Sequence, residues 1–230
     1  MYAPFIPFSQ EHLHVLLIGF AGIVVVLMAG RRGGICEKAA TNGLAWINLA
    51  AWPISLVAAW WQGGAMDLEN LLPFHLCDVA AVTAGLALLT KRFPLFRSLT
   101  YFWGLAGTIQ GLVTPAIRET GPIFFSFFLQ HFTIVAAALY LPIVLRWRPR
   151  RPVWKAVGEV FAWSVAYLLF AIVVNAITGA NFAYVSHPPA NPSLLDHLGP
   201  WPWYVFSMLG IALVFYTLLW LPFARSRPTS

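Results

Sequence analysis

The sequence predicts an all-α fold, a polytopic bundle of about seven transmembrane helices with the N-terminus outside and the C-terminus in the cytoplasm. Two observations lead to this prediction. Of the 230 residues, 60% are hydrophobic and only 10% are charged, whereas a soluble domain carries about 25% charged residues. The apolar residues also fall into long runs, and most basic residues lie between those runs. A surface with so few charges requires lipid around most of it.

The long apolar runs define the predicted spans. A helix needs about 20 mostly apolar residues to cross the hydrocarbon core of a bilayer. Gly, Pro and charged residues separate the runs, as turns between helices require. We therefore expect the whole chain, residues 1–230, to form a single transmembrane domain. Its predicted spans are Leu13–Gly30, Ala39–Trp61, Leu72–Leu89, Leu95–Val113, Ile123–Leu145, Val157–Ile177 and Trp203–Phe223.

The positions of the basic residues predict the orientation. With seven spans, all but one of the 14 Lys and Arg residues fall on the same side, and the exception is Arg118. Short cytoplasmic loops are enriched in Lys and Arg, so this side is predicted to be the cytoplasm. The basic residues lie between the runs rather than on one face, which argues against nucleic-acid binding. They include Arg31, Arg32 and Lys38 in the first loop and Arg225 and Arg227 in the C-terminal tail.

Most polar side chains within the spans lie in the half of the bilayer that faces outside. Such residues are costly in hydrocarbon and usually face the interior of a bundle. Each could be only a polar contact between helices, but five helices contribute to the same layer. We therefore predict a polar cavity near the outer face. The residues are His14, His75, Cys77, Asp78, Gln110, Thr114, Gln130, His131 and Asn175.

Helical spacing limits which of these side chains can act together. His75 and Asp78 are three residues apart and share a face, so they can interact. His75 and Cys77 are two apart and point in different directions. Because the thiolate is the reactive form of cysteine, a nucleophilic Cys77 needs a base from another helix. His131, about two turns into span five, is the natural partner.

Four segments together resemble a known family. They are Leu72–Asp78 (LPFHLCD), Tyr101–Gly104 with Gln110 and Thr114-Pro115, Phe128–His131 (FLQH), and Leu198–Tyr204 (LGPWPWY). The combination is similar to the YwaF-like integral membrane proteins of bacteria, which implies a multi-pass protein of the bacterial cytoplasmic membrane. That family is distantly similar to a eukaryotic transmembrane phospholipid acyltransferase and to the androgen-induced and ADTRP-type membrane hydrolases of fatty-acid esters.

The resemblance also implies roles for individual residues. The relatives pair a nucleophile on one helix with a histidine on another, and His131 matches that distal histidine. His75 matches the histidine of the proline-anchored motif. Phe74, however, stands where the eukaryotic acyltransferase has its nucleophilic cysteine. Cys77 lies three residues further on roughly the same face, displaced by about 4.5 Å along the helix.

Together with the polar layer, the resemblance implies a lipid acyltransferase or ester hydrolase, acting on an acyl lipid of the surrounding membrane without a cofactor. Cys77 would be the nucleophile, His131 its base, and His75 with Asp78 an orienting or stabilising pair. Gln110 or Gln130 would donate to the oxyanion. The oligomeric state is not predicted.

The sequence leaves two alternatives open. One is a metal-dependent hydrolase in which His75, Asp78 and His131 are the ligands, although our main prediction includes no metal. The other is a transporter or a protein that binds lipids or small molecules without catalysis, for which the sequence shows no internal repeat. Whatever the function, the proline-rich loop Asn181–Pro202 is expected to form an ordered cap over the cavity. This loop carries His187, Asp196 and His197.

Overall fold

The computed structural model describes residues 2–64, 66–189 and 191–224. Within these residues the chain forms helices joined by loops, and an isolated β-bridge pairs Pro4 with Glu119. The predicted all-α class is therefore confirmed. The α-helices are α1 (Gln10–Arg31), α2 (Gly34–Gln62), α3 (Leu68–Leu71), α4 (Leu76–Leu89), α5 (Pro94–Phe102), α6 (Thr108–Val113), α7 (Pro122–Ile143), α8 (Val153–Thr178) and α9 (Trp203–Trp220). A π turn, Trp103–Gly107, links α5 to α6, and short 3₁₀ turns follow at Phe182–Tyr184, Leu194–His197 and Leu221–Phe223.

Six helical segments of the described chain are long and apolar enough to cross a membrane, which makes this a multi-pass membrane protein. They are Gln10–Arg31, Gly34–Gln62, Leu68–Leu89, Pro122–Ile143, Val153–Thr178 and Trp203–Phe223. The fourth predicted span is not among them, and a π turn interrupts its helix. The third includes a break, since Leu72–Phe74 are extended or bent between α3 and α4.

The interrupted segment from α5 to α6 nevertheless runs the length of α4. Near one end, Arg97 Nε donates to the carbonyl oxygen of Ala87 at 3.3 Å. Near the other end, a Cβ at Gly107 would lie 3.0 Å from the Leu76 side chain. The two segments are therefore antiparallel and occupy the same layer, as consecutive membrane spans would.

Local signals set the helix boundaries. The Ser9 side chain accepts from the His12 backbone N–H at 3.3 Å and caps α1. Gly63 ends α2 in the left-handed conformation, with φ 71°. Pro94 and Pro122 occupy the first turns of α5 and α7, where a missing N–H leaves no hydrogen bond unmade.

Helix α7 lies at the centre of the bundle and is the most buried of the long helices. Glycines let α1 approach it closely: Gly30 lies against the ring of Tyr140, and Gly19 against Phe132. The Tyr140 hydroxyl forms a hydrogen bond with Thr41 of α2 at 3.0 Å. Small residues at contacts between helices are typical of membrane bundles.

Helices α8 and α9 pack beside the π turn through hydroxyl and indole groups. Trp103 Nε1 donates to Ser164 Oγ at 2.9 Å, and the Ser164 and Tyr216 hydroxyls lie 2.9 Å apart. Tyr101 donates to the carbonyl oxygen of Leu219 at 3.0 Å. These bonds join the irregular fourth segment to the last two helices.

The orientation of the termini stays a prediction, and Arg225 and Arg227 lie outside the described residues. Cys36 provides a direct test because it is exposed near the start of α2. In a Cys77→Ala background, we expect a membrane-impermeant maleimide to label Cys36 in inverted membrane vesicles and not in right-side-out vesicles. Labelling of only the right-side-out vesicles would show that the orientation is reversed.

Candidate functional site

A cavity of about 770 Å³ lies between α2, α4, the segment from the π turn to α6, α7, α8 and α9. Its volume is in the range of small-molecule binding sites, about 300–1,000 Å³. One part of its wall is polar, with Glu69, Arg118 and Glu119 among the lining residues. Another part is apolar, and includes Met208 and Phe215 of α9. The cavity is therefore amphipathic and suited to a molecule with a polar and an apolar end.

Most of the residues singled out from the sequence line this cavity. Because α4, α6 and α7 run alongside one another, their polar residues face a common space. The predicted residues in its wall are His75, Cys77, Asp78, Gln110, Thr114, Gln130 and His131.

His14 does not line the cavity, which corrects one part of the predicted layer. It is exposed on α1, whereas His12, two residues earlier, is completely buried. The backbone N–H of Phe8 donates to His12 Nδ1 at 2.9 Å, so His12 Nε2 carries the proton and donates to the carbonyl oxygen of Leu112 at 2.8 Å. His12 thereby joins the start of α1 to the end of α6.

Asn175 was also predicted to line the cavity and does not. Its side chain instead forms hydrogen bonds with the loop that follows α8. The Phe182 N–H donates to Asn175 Oδ1 at 2.9 Å, and Asn175 Nδ2 donates back to the Phe182 carbonyl oxygen at 3.1 Å. Both bonds are buried and join the last turn of α8 to the loop that follows it. Asn175 is thus a structural residue of the loop.

Asp78 is paired with Gln130 across the interface between α4 and α7. Gln130 Nε2 donates to Asp78 Oδ1 at 2.8 Å, and both side chains are buried. No hydrogen bond joins the side chains of His75 and Asp78, although the Asp78 backbone N–H donates to the His75 carbonyl oxygen at 3.0 Å. The His75 ring instead lies 3.8 Å from the Glu69 carboxylate and packs against Phe182.

The His131 ring is held in one orientation by its own helix. Its Nδ1 lies 2.7 Å from the carbonyl oxygen of Phe127, and the ring stacks on the Phe127 ring with centroids 4.0 Å apart. A carbonyl can only accept, so Nδ1 carries the proton and Nε2 of the neutral ring has a free lone pair. Gly111 faces the ring, and any Cβ there would overlap Nε2. The site therefore presents an oriented histidine that can accept a proton.

Cys77 lies in the first turn of α4 and contributes to the cavity wall, whereas Phe74 does not. The Phe74 ring packs instead against Phe170, at a centroid distance of 5.1 Å. Of the two positions, only Cys77 is placed to meet a ligand in this space. Among the described residues, the Cys77 thiol and the His131 ring line the same cavity without a hydrogen bond to each other.

The loop after α8 covers part of the cavity, and Leu194, Leu195 and Leu198 contribute to its wall. Asn181 orders the start of this loop, since its Nδ2 donates to the His187 carbonyl oxygen at 2.8 Å. His187, Asp196 and His197 do not line the cavity.

Tyr184 brings a hydroxyl from this loop to the cavity wall. Burial, with a smaller contribution from nearby Cys77 and Glu69, raises the pKa of Tyr184 to about 12. Its hydroxyl therefore stays protonated at neutral pH and can donate to a ligand.

The metal-dependent alternative finds no support in the geometry. Within residues 2–64, 66–189 and 191–224, no three His, Cys, Asp or Glu side chains lie close enough together to hold a metal ion. His75 and Asp78 interact with Glu69 and Gln130 respectively, and His131 with Phe127.

Comparisons with known proteins add to this picture. A family model described as the TMEM164 family matches residues 7–220. A protein of Treponema pallidum (strain Nichols), described as uncharacterized, is 28% identical over 161 residues, which cover 69% of this chain and 65% of that protein. The match thus spans less than two thirds of the relative. No solved structure matches the chain.

The Asp78–Gln130 pair makes a testable contribution to stability. Gln130→Leu leaves the buried Asp78 carboxyl without its amide donor, and we expect a loss of about 1–3 kcal/mol in the free energy of unfolding. Thermal unfolding in detergent measures the effect. Gln110→Leu is the matched control, since among the described residues the exposed Gln110 side chain has no hydrogen-bond partner. Equal stability of the two variants would contradict a role for the pair.

Proposed function

The chain belongs to the TMEM164 family, and we propose that it is a membrane enzyme that transfers or hydrolyses the acyl chains of lipids, with Cys77 as nucleophile and His131 as base. Membership of this family agrees with the resemblance drawn from the motifs around His75 and His131. We place the protein in the cytoplasmic membrane of a bacterium, as the bacterial relative and that resemblance suggest.

This proposal rests mainly on the fixed orientation of the His131 ring in the wall of an amphipathic cavity. A cysteine lies in the wall of the same cavity. Nδ1 is engaged by Phe127, and Gly111 leaves space for the ring edge that carries Nε2. His131 lines the cavity, and among the described residues its Nε2 forms no hydrogen bond, so this nitrogen is the one that would accept a proton in the proposed reaction. Cys77 supplies a nucleophile on the facing helix.

Cys77 and His131 line the same cavity without a hydrogen bond to each other, and in the proposed reaction the substrate lies between them. Catalytic hydrogen bonds are often long or absent in the unliganded protein and tighten when substrate binds. An acyl ester bound in the cavity would place its carbonyl carbon at the sulfur and its leaving oxygen near Nε2. The apolar wall, including Met208 and Phe215, would hold the acyl chain.

The reaction then proceeds in two stages. Cys77 Sγ bonds to the carbonyl carbon while its proton passes to His131 Nε2, which gives a tetrahedral intermediate. The bond from that carbon to the ester oxygen breaks, and His131 returns the proton to this oxygen, which leaves as the hydroxyl of a lysolipid. The acyl chain is now a thioester on Cys77.

In the second stage, a hydroxyl of an acceptor lysolipid attacks the thioester carbon and gives its proton to His131. The carbon–sulfur bond breaks, and the sulfur recovers the proton as the thiol. Water in place of the lysolipid gives hydrolysis and a free fatty acid. Gln110, whose amide lines the cavity, is a donor for the oxyanion in both stages.

Turnover assays on the purified protein in lipid nanodiscs test the proposal. With a labelled acyl chain on a donor phospholipid and a lysolipid acceptor, Cys77→Ala is expected to lower product formation by at least about 10³-fold, and His131→Gln by about 10²-fold or more. The cause is loss of the nucleophile in the first variant and of the base in the second.

Cys36→Ala is the matched control, because Cys36 is exposed at the start of α2, away from the cavity. It should retain wild-type turnover. Equal turnover by wild type and Cys77→Ala would remove Cys77 from the mechanism. Lipid binding without any turnover would favour the non-catalytic lipid-binding alternative.

A further inference from the structure

Three arginines meet in a second pocket, toward the end of α7 that lies away from the candidate site. This open pocket, of about 580 Å³, lies between the end of α1, the loop after α7 and the 3₁₀ turn that ends the last span. Its wall includes Arg31, Arg146 and Arg148 together with Pro142, Ile143 and Phe223. His131 lies three turns before Pro142 on α7, about 16 Å away along the helix, so the pocket is separate from the cavity of Cys77.

The guanidinium group of Arg148 is held in this pocket by contacts with its wall. Its Nη1 donates to the carbonyl oxygens of Pro142 at 3.2 Å and of Trp147 at 3.0 Å. Its central carbon lies 5.4 Å from the centre of the Phe223 ring. Among the described residues, Nε and Nη2 of Arg148 have no hydrogen-bond partner. These two groups form one side of the guanidinium plane, which can donate to two oxygens of one phosphate.

Arg146 occupies a backbone position that would suit glycine better. It follows the end of α7 in the left-handed conformation, with φ 54°. That conformation is costly for a residue with a side chain, and glycine is the usual choice just after a helix. Arg31, the third arginine of the pocket, is the last residue of α1 and is exposed. The sequence thus places an arginine in the pocket wall despite the cost to the backbone.

The positive charge of the pocket has no counterion among the described residues. None of the three arginines forms an ion pair there, and no acidic residue contributes to the described wall. At this end of the bundle, Glu159 pairs instead with Arg150 at 3.4 Å. The described part of Glu37, at the start of α2, forms no ion pair either. The pocket is therefore suited to an anion from outside the protein.

We propose that this pocket binds the phosphate of an anionic phospholipid at the membrane surface. The wall comes from the ends of three membrane-spanning segments, Gln10–Arg31, Pro122–Ile143 and Trp203–Phe223, which places it at the level of lipid headgroups. Ile143 and Phe223 lie beside the arginines and suit the glycerol and the first methylenes of a lipid.

The composition of the wall also predicts which headgroups bind. A zwitterionic headgroup carries an ammonium group, and the described wall offers no carboxylate to receive it. An anionic headgroup such as glycerol phosphate carries no such cation. The pocket should therefore prefer anionic over zwitterionic phospholipids, and this preference does not depend on the chemistry proposed for Cys77.

A bound phosphate would join α1 to the other two segments. Arg151 already links the loop after α7 to the end of the last span, because its Nη2 donates to the carbonyl oxygens of Phe223 and Ala224. The Arg31 side chain makes no such bond among the described residues. A phosphate shared by Arg31 and Arg148 would supply this link, so a bound lipid should raise the thermal stability of the protein.

Lipid binding to the purified protein in detergent micelles tests the inference. Native mass spectrometry compares phosphatidylglycerol with phosphatidylethanolamine that carries the same acyl chains. We expect phosphatidylglycerol to bind about tenfold more tightly and to raise Tm. Arg31→Gln and Arg146→Gly should each weaken phosphatidylglycerol about fivefold, the contribution of one arginine near an anionic headgroup, and leave phosphatidylethanolamine unchanged. Because glycine suits the left-handed conformation, Arg146→Gly should keep or raise the Tm measured without lipid.

Arg32→Gln is the matched control. Arg32 follows Arg31 directly and is exposed, but it does not contribute to the pocket wall. The same loss of charge at this position should change the affinity for phosphatidylglycerol by less than about twofold, since only the diffuse surface charge is altered.

Three results would overturn the inference. Equal weakening by Arg31→Gln and Arg32→Gln would show a diffuse attraction instead of a site, and equal affinity for the two lipids would remove the selectivity. Inorganic phosphate or glycerol 3-phosphate should bind far more weakly than phosphatidylglycerol, because neither has an apolar part. Binding of either as tightly as the lipid would assign the pocket to a soluble phosphate compound.

Discussion

Polar groups at membrane depth have to find their partners inside the protein, because hydrocarbon offers none. The arrangement around α7 follows from this constraint. Asn48 reaches the Thr133 carbonyl, Gln130 pairs with Asp78, and His131 donates to its own helix at Phe127. These bonds fix how α2 and α4 lie against α7. They also determine which polar atoms remain free to face the cavity.

The helices of the bundle must also pack closely, and glycine allows this at two positions along α7. A Cβ at Gly104 would lie 2.9 Å from Ala138, and one at Gly111 would overlap His131. The irregular helix from α5 to α6 can therefore pack tightly on α7 while its π turn places Trp103 against Ser164. Gly111, one of these two glycines, also leaves room for the His131 ring. Stability and the proposed chemistry thus depend on one interface, between the fourth segment and α7.

The sequence was sufficient for the helical class, the multi-pass membrane location and the shared location of Cys77 and His131. It could not show which face of a lipid-exposed helix points inward, because α1 is apolar all round. His14 was therefore predicted to face inward, whereas His12 is the histidine of α1 that is buried. The π turn had no distinct signal, since Trp103–Gly107 continues an apolar run.

The proposed mechanism requires Cys77 to carry the acyl chain between the two stages of the reaction. This can be measured by mass spectrometry of the intact protein, quenched in acid during turnover with excess acyl lipid and no acceptor. We expect a mass increase of one acyl chain, located by peptide analysis on Cys77, removed by neutral hydroxylamine and absent from Cys77→Ala. Turnover by wild type with Cys77 unmodified, or with an acyl adduct on Cys36 instead, would contradict it.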